Sequence, residues 1–179
     1  MVHHRFHDLP WRWGVTDEEV AAPYPCDGLL TVPSRPLFRG VDVDAPSQVV
    51  FRWLCQVRVA PYSYDWIDNR GRRSPTELTP GADDLAIGQR FQVFEITAFE
   101  HGAHITGRGT PAAERIFGPI AVTYRVAPCG TERSRLVVRL DVADRALGYP
   151  LAWGDLVMMR RQLLNLKNLA ERGRQRTYH

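Results

Sequence analysis

The stretch PLAWGDLVMMRRQLLNLKNLAERG, residues 150–173, decides the fold. At helical spacing Trp153, Leu156, Met159, Leu163, Leu166 and Ala170 fall on one face, whereas Arg161, Asn165, Lys167, Asn168 and Glu171 fall mostly elsewhere. Pro150 suits a first turn and Gly173 a stop, and Arg172, Arg174 and Arg176 sit where cations complement a helix C-terminus. An amphipathic helix of this kind is marginal alone and needs an apolar surface to lie on. The strand-like segments just before it are the only large candidate, so a helix lying on a curved sheet is expected.

Those segments alternate with period two. The one that begins at Gly88 sets Phe91, Val93, Glu95, Thr97 and Phe99 against Gln92, Phe94, Ile96 and Ala98. After Glu100-His101-Gly102 come return strands over 103–109, 117–127 and 133–142, the last two joined through Pro128-Cys129-Gly130. Short turns between successive strands imply an antiparallel meander with one face packed and the other in water. Ile120, Val122, Tyr124, Val126, Leu136, Val138 and Leu140 are then inward, and Arg125, Arg135 and Arg139 outward. Upstream, Leu37, Arg39, Val41 and Val43 mark a first strand, and Asp44-Ala45-Pro46-Ser47 opens a capped helix with Val50, Trp53, Leu54 and Val57 as its stripe.

With 179 residues, 44% hydrophobic and 24% charged, the chain has the size and composition of one globular domain. Its formal charge of +3 is spread and not blocked, which argues against nucleic-acid binding. No run approaches the roughly 18 apolar residues that span a bilayer, and the N-terminus has no signal-peptide core, so a cytoplasmic protein without integral membrane association is expected. Cys26, Cys55 and Cys129 lack any Cys-x-x-Cys spacing and read as reduced thiols. His3, His4 and His7 crowd together, but at a chain terminus with nothing to orient their rings, so no metal is expected, and no cofactor motif is present.

Residues 1–34 form a proline-rich arm, followed by a domain over 35–174 and a short tail over 175–179. Trp11 and Trp13 in the arm need cover, either from the body of the chain or from a second subunit in a homodimer. Thr16 followed by Glu19 matches a capping box and predicts one helical turn.

The aromatic cluster Tyr62, Tyr64 and Trp66, around Asp65 and Asp68, either lines a cavity or caps a core. For acid–base work the candidates are Glu95, His104, Asp65, Tyr124 and Arg108, but Glu95 and Arg108 read better as a solvated cross-strand pair. Cys55 sits beside an apolar stripe and reads as a small buried residue. No nucleophile elbow or zinc helix is present, and no catalytic residue is assigned.

Several stretches resemble an actinobacterial branch of the START-like, or SRPBCC, superfamily, which includes polyketide cyclases and pollen-allergen-like lipid binders. They are Arg12-Trp13-Gly14-Val15-Thr16-Asp17, Asp44-Ala45-Pro46 before Val50-Phe51-Arg52-Trp53-Leu54, the Tyr62-to-Trp66 cluster, Leu85-Ala86-Ile87-Gly88, and residues 158–173. Arg58-Val59-Ala60-Pro61 departs from that branch, where a glycine-rich loop usually stands. The resemblance implies an α+β helix-grip fold: a curved antiparallel sheet wrapped around a long C-terminal helix, with two short helices after the first strand. It also implies a cavity between sheet and helix. Tyr62, Tyr64, Trp66, Arg108, Tyr124, Trp153 and Met159 are the expected wall, and a hydrophobic or aromatic small molecule, lipid, isoprenoid or polyketide-like, is the expected ligand. Two alternatives stay open: a polyketide cyclase or dehydratase using the same cavity, and a self-associating structural protein.

Overall fold

The computed structural model describes residues 8–64, 73–144 and 148–176, with side chains through Arg172. The chain runs β1 (Arg12–Trp13), α1 (Asp17–Ala21), β2 (Ser34–Val43), α2 (Ser47–Cys55), β3 (Arg90–Phe91), β4 (Phe94–Glu100), β5 (His104–Gly109), α3 (Pro111–Phe117), β6 (Ile120–Pro128), β7 (Ser134–Ala143) and α4 (Gly148–Arg176). The strands form one seven-stranded sheet in the order β1-β2-β7-β6-β5-β4-β3, antiparallel except for the β1–β2 pair. Helix α4 lies across it, and the arrangement is the expected helix grip.

The main core is where the periodicities place it. Ile120, Val122, Tyr124 and Val126 of β6 and Leu136, Val138, Leu140 and Val142 of β7 meet Ala152, Met159, Leu163, Leu166 and Ala170 of α4, with Val50, Phe51, Trp53 and Leu54 of α2 closing one side. Trp153 departs from the expected stripe and is 41% exposed. One turn before Leu156 the buried position belongs to Ala152, whose carbonyl accepts a hydrogen bond from Arg39 of β2 at 3.3 Å. A small side chain lets the helix backbone come that close to the sheet.

Three local expectations are corrected. The strand read as continuous from Gly88 is a hairpin, in which Arg90 pairs with Glu95 and Phe91 with Phe94 across a turn at Gln92 and Val93. That fold-back returns Phe91 to the core face and leaves Glu95 outside. Helix α2 has Pro46 at its cap position with no side-chain cap, and Asp44 pairs with Arg133 at 3.0 Å. Helix α3 went unread, although the Thr110 hydroxyl accepts from the Ala113 N–H and Pro111 opens the first turn.

The second face of the sheet is not simply in water. The arm packs back on its own body: Tyr24 and Cys26 cover Phe38, Ala121 and Val137 in a second apolar cluster. Gly14 (φ +69°) and Gly40 meet backbone to backbone, where a Cβ on Gly14 would stand 2.3 Å from the Gly40 carbonyl oxygen. Trp11 lies under the Arg35 guanidinium at 3.5 Å and Trp13 faces Arg160 at 5.4 Å. The expected capping box is present, with Thr16 and Glu19 each accepting the other's backbone N–H. Glu19 also receives Arg135 Nε at 2.7 Å and Nη2 at 2.9 Å, and Arg135 donates to the Gly14 carbonyl as well. Arg139 pairs with Asp141 at 3.1 Å and with Asp27 of the arm.

Leu163 is fully buried, so Leu163→Ala should lower stability by about 2–5 kcal/mol in chemical denaturation. Burial pushes the Glu19 carboxyl up, but the Arg135 hydrogen bonds and the cap N–H outweigh it and the net shift is downward. A carboxyl lowered by folding stabilises above its unfolded pKa, about 4.3, and loses that contribution as pH falls through the lower folded value. Glu19→Gln should therefore weaken protection of the arm from proteolysis at neutral pH. The gap to wild type should narrow as pH drops below about 4.

Candidate functional site

Between the sheet and the N-terminal half of α4 is a cavity of about 640 Å³. One wall is the segment after α2, from Val57 to Pro61 and Ser63; another is the β3–β4 turn with Gln92, Val93 and Phe94. The sheet supplies Ile120, Leu140 and Val142, and α4 supplies Leu151, Gly154, Asp155, Met158, Met159 and Gln162. Val59, Val93 and Phe117 both line the cavity and are exposed, which places them at its mouth.

Among the described residues, Asp155 is the one carboxylate in this wall. Its Oδ2 stands 2.8 Å from Nη2 of Arg39, a residue only 1% exposed on the helix-facing side of β2. Arg39 Nη1 donates to the carbonyls of Trp11 (3.1 Å) and Phe38 (2.8 Å), and its Nη2 to that of Ala152. An arginine held this way stays cationic and fixes the carboxylate in place. Burial raises the Asp155 carboxyl on balance, and the Arg39 charge and hydrogen bond work in the opposite direction.

A second polar chain stiffens the wall. The Tyr124 hydroxyl donates to Gln162 Oε1 at 2.8 Å, and Gln162 Nε2 donates to the Pro61 carbonyl. One turn on, Asn165 Nδ2 donates to the Tyr62 carbonyl at 2.8 Å. The segment after α2 is thus clamped to α4 at two successive residues. Burial raises the Tyr124 phenol, with the nearby Asp155 charge adding to it, so it acts as a neutral donor. Tyr62 (φ 55°) and Gln92 (φ 52°) both hold a left-handed backbone at the cavity's edge.

Of the residues expected to form the wall, Met159 lines the cavity. Tyr124 lies fully buried behind it, within 3.6 Å of the Met159 sulfur. Tyr62 is buried against Trp53, with ring centroids 6.5 Å apart, and Tyr64 faces Arg161 at 6.0 Å. Trp153 packs at the surface against Tyr149, 6.4 Å between centroids. Arg108 is exposed and pairs with Glu114 at 2.9 Å, far from the wall in role because β5 turns it to the other face beside Glu95. Trp66, Asp65 and Asp68 lie outside the described residues, as do His3, His4 and His7. His104 is half-buried on the arm-facing side, 3.4 Å from the Thr106 hydroxyl, and burial lowers its pKa. Burial pushes the Cys55 thiol up to about 12, which leaves it a poor nucleophile.

Arg39, Asp155 and Gln162 were not singled out in the sequence. The signal was there for two of them. Arg39 shares its face with Leu37, Val41 and Val43, and Asp155 is the only charge between Gly148 and Met159.

Among the described residues no cluster of metal-ligating side chains occurs, and no helix is long and apolar enough to cross a membrane. No family model matches the sequence, and no curated protein is significantly similar to it. Solved structures do resemble it in three dimensions. A protein from Mesorhizobium loti, MLL2253, superposes with a TM-score of 0.52 at 16% identity, over 77% of this chain and 98% of its own. A START superfamily protein from Mycobacterium smegmatis gives 0.50 at 13% identity, over 78% and 99%. The Zhui aromatase/cyclase from Streptomyces sp. R1128 superposes more loosely, at 0.44 and 18% identity, over 82% and 97%.

A left-handed Gln at a two-residue hairpin turn costs energy that glycine avoids. Gln92→Gly should therefore leave stability unchanged or raise it by up to about 1 kcal/mol, read by thermal melting.

Proposed function

We propose that this chain, with its START-like helix-grip fold, binds a hydrophobic or aromatic small molecule between the sheet and the C-terminal helix. The observation that supports this is the cavity itself. A space of about 640 Å³ is in the range of small-molecule sites, and its wall is mostly apolar, with a few polar groups at fixed positions. A lipid, isoprenoid or polyketide-like body suits such a wall better than a sugar or nucleotide, which would leave many hydrogen bonds unmet. In this reading Met159 is a contact residue, and Tyr62 and Tyr124 act by holding the wall.

One observation favours a second reading, a cyclase or dehydratase acting on the same kind of ligand. Asp155 is an ionisable group in a mostly apolar wall, where acid–base chemistry has its usual setting. Against it, one carboxylate oxygen is turned to Arg39, whose charge favours the ionised form. Chromatography with mass spectrometry of a bound polyketide-like compound after prolonged incubation separates the two readings: recovery at unchanged retention and mass favours binding, and a new retention at the same mass or a loss of water favours the enzyme.

Gly154 provides the sharper test. It lines the cavity, and nothing stands within 4 Å of where its Cβ would be. Gly154→Ala should stabilise the protein by about 1 kcal/mol, since glycine inside a helix is costly. Gly154→Phe should stay folded by circular dichroism while filling the mouth. It should abolish saturable binding of a panel of fatty acids, isoprenoids and aromatic polyketides that wild type binds. Wild type binding none of the panel, or Gly154→Phe binding it undiminished, overturns the reading.

A further inference from the structure

We propose that the ligand presents a hydrogen-bond donor, a hydroxyl or an amine, to Asp155, and that the site discriminates against a carboxylate head. This rests on the cavity being a ligand site and adds the chemistry of its polar end. The argument is a count of which polar groups in the wall remain available. Arg39 has its terminal nitrogens engaged by three backbone carbonyls and by Asp155, and it is almost wholly inaccessible. Gln162 is used at both ends, accepting from Tyr124 and donating to Pro61. Arg58, the cation that lines the wall among the described residues, turns its Nη1 to the carbonyls of Ala82 at 2.7 Å and Asp84 at 3.0 Å, so it braces the loop over residues 81–84, and its Nε is buried without a partner. Gln92, exposed at the β3–β4 turn, and Ser63 complete the polar lining.

Asp155 is the carboxylate of this wall among the described residues. One oxygen, Oδ2, faces Arg39 and is buried, yet 11% of the side chain stays accessible, and the cavity it lines is the space it faces. A carboxylate oxygen is an acceptor only, so what completes it must donate. Fixed by Arg39 and set among apolar side chains, it would hold a donor strongly and leave a second carboxylate facing it unpaired. A fatty acid or other free acid is thus the wrong head for this cavity. An alcohol, phenol or amine on an apolar body is the right one.

The test uses one apolar body with different heads: 2-naphthylmethanol, 2-naphthylmethylamine, 2-methylnaphthalene and 2-naphthoate, titrated into the full chain by calorimetry at neutral pH. The alcohol and the amine should bind about tenfold or more tighter than the naphthoate, and tighter than the hydrocarbon. Asp155→Asn alone leaves Arg39 buried without its counter-charge and could unfold, so the companion is the paired replacement Arg39→Met with Asp155→Leu. That variant should keep its affinity for 2-methylnaphthalene and lose the preference for the alcohol to within about threefold. Equal binding of all heads, tightest binding of the naphthoate, or a preference that survives the paired replacement overturns the proposal while leaving the cavity reading in place. If none of the probes binds wild type, the proposal falls as well; the wider panel then decides whether the cavity reading falls with it.

Discussion

A cation sealed inside a sheet must be satisfied from every side, and Arg39 is the residue on which this molecule turns. Its guanidinium gathers a carbonyl from Trp11 of the arm, one from β2, one from α4 and the carboxylate of Asp155. Water is excluded, so each partner is obligatory: removing the counter-charge from such a group costs about 3–5 kcal/mol. The pair is weak evidence for net stability, because apolar residues of the same volume could do as well. What it adds is specificity of arrangement. The arm, the first long strand and the terminal helix meet at Arg39, whose two terminal nitrogens they share while its Nε stays buried without a partner.

The opposite face of the sheet uses the same residue type differently. Arg135 and Arg139 also rise from a strand toward a covering segment, but they remain partly accessible and pair with Glu19, Asp27, Asp42 and Asp141. Those contacts fasten the arm over Phe38, Ala121 and Val137. The arm is thus held from both faces of β2, by ion pairs on one side and by the Arg39–Trp11 hydrogen bond on the other. Anything that shifts α4 against the sheet would be felt in the arm through Arg39.

Much of this architecture was legible in the sequence because burial has a period. Every residue of β6 and β7 read as inward lies in the core, which also takes in the unread Val142, and the stripe on α4 failed at Trp153, where the backbone approaches too closely for a large side chain. The site was less legible, for a physical reason. Its polar groups are inward-facing residues that break the apolar pattern, and one sequence does not say whether a charge on an apolar face is sealed by a distant partner or marks a misjudged face. Arg39 and Asp155 lie more than a hundred residues apart, and only the fold brings them together. Asn165 failed for the complementary reason: it was placed off the buried face of the helix, whereas it holds the carbonyl of Tyr62, as Gln162 holds that of Pro61.

The two strands that end the sheet, β1 and β3, are each two residues long. An open seven-stranded sheet ordinarily presents two rows of unpaired backbone groups, which are templates for another chain. Here one end is overlaid by the arm through the Gly14–Gly40 contact, and the other folds over at the Gln92–Val93 turn, with an irregularity in β4 between Ile96 and Ala98. Each end is shortened and bent in this way, and Pro36, in the part of β2 that β1 leaves unpaired, has no N–H to offer a foreign strand.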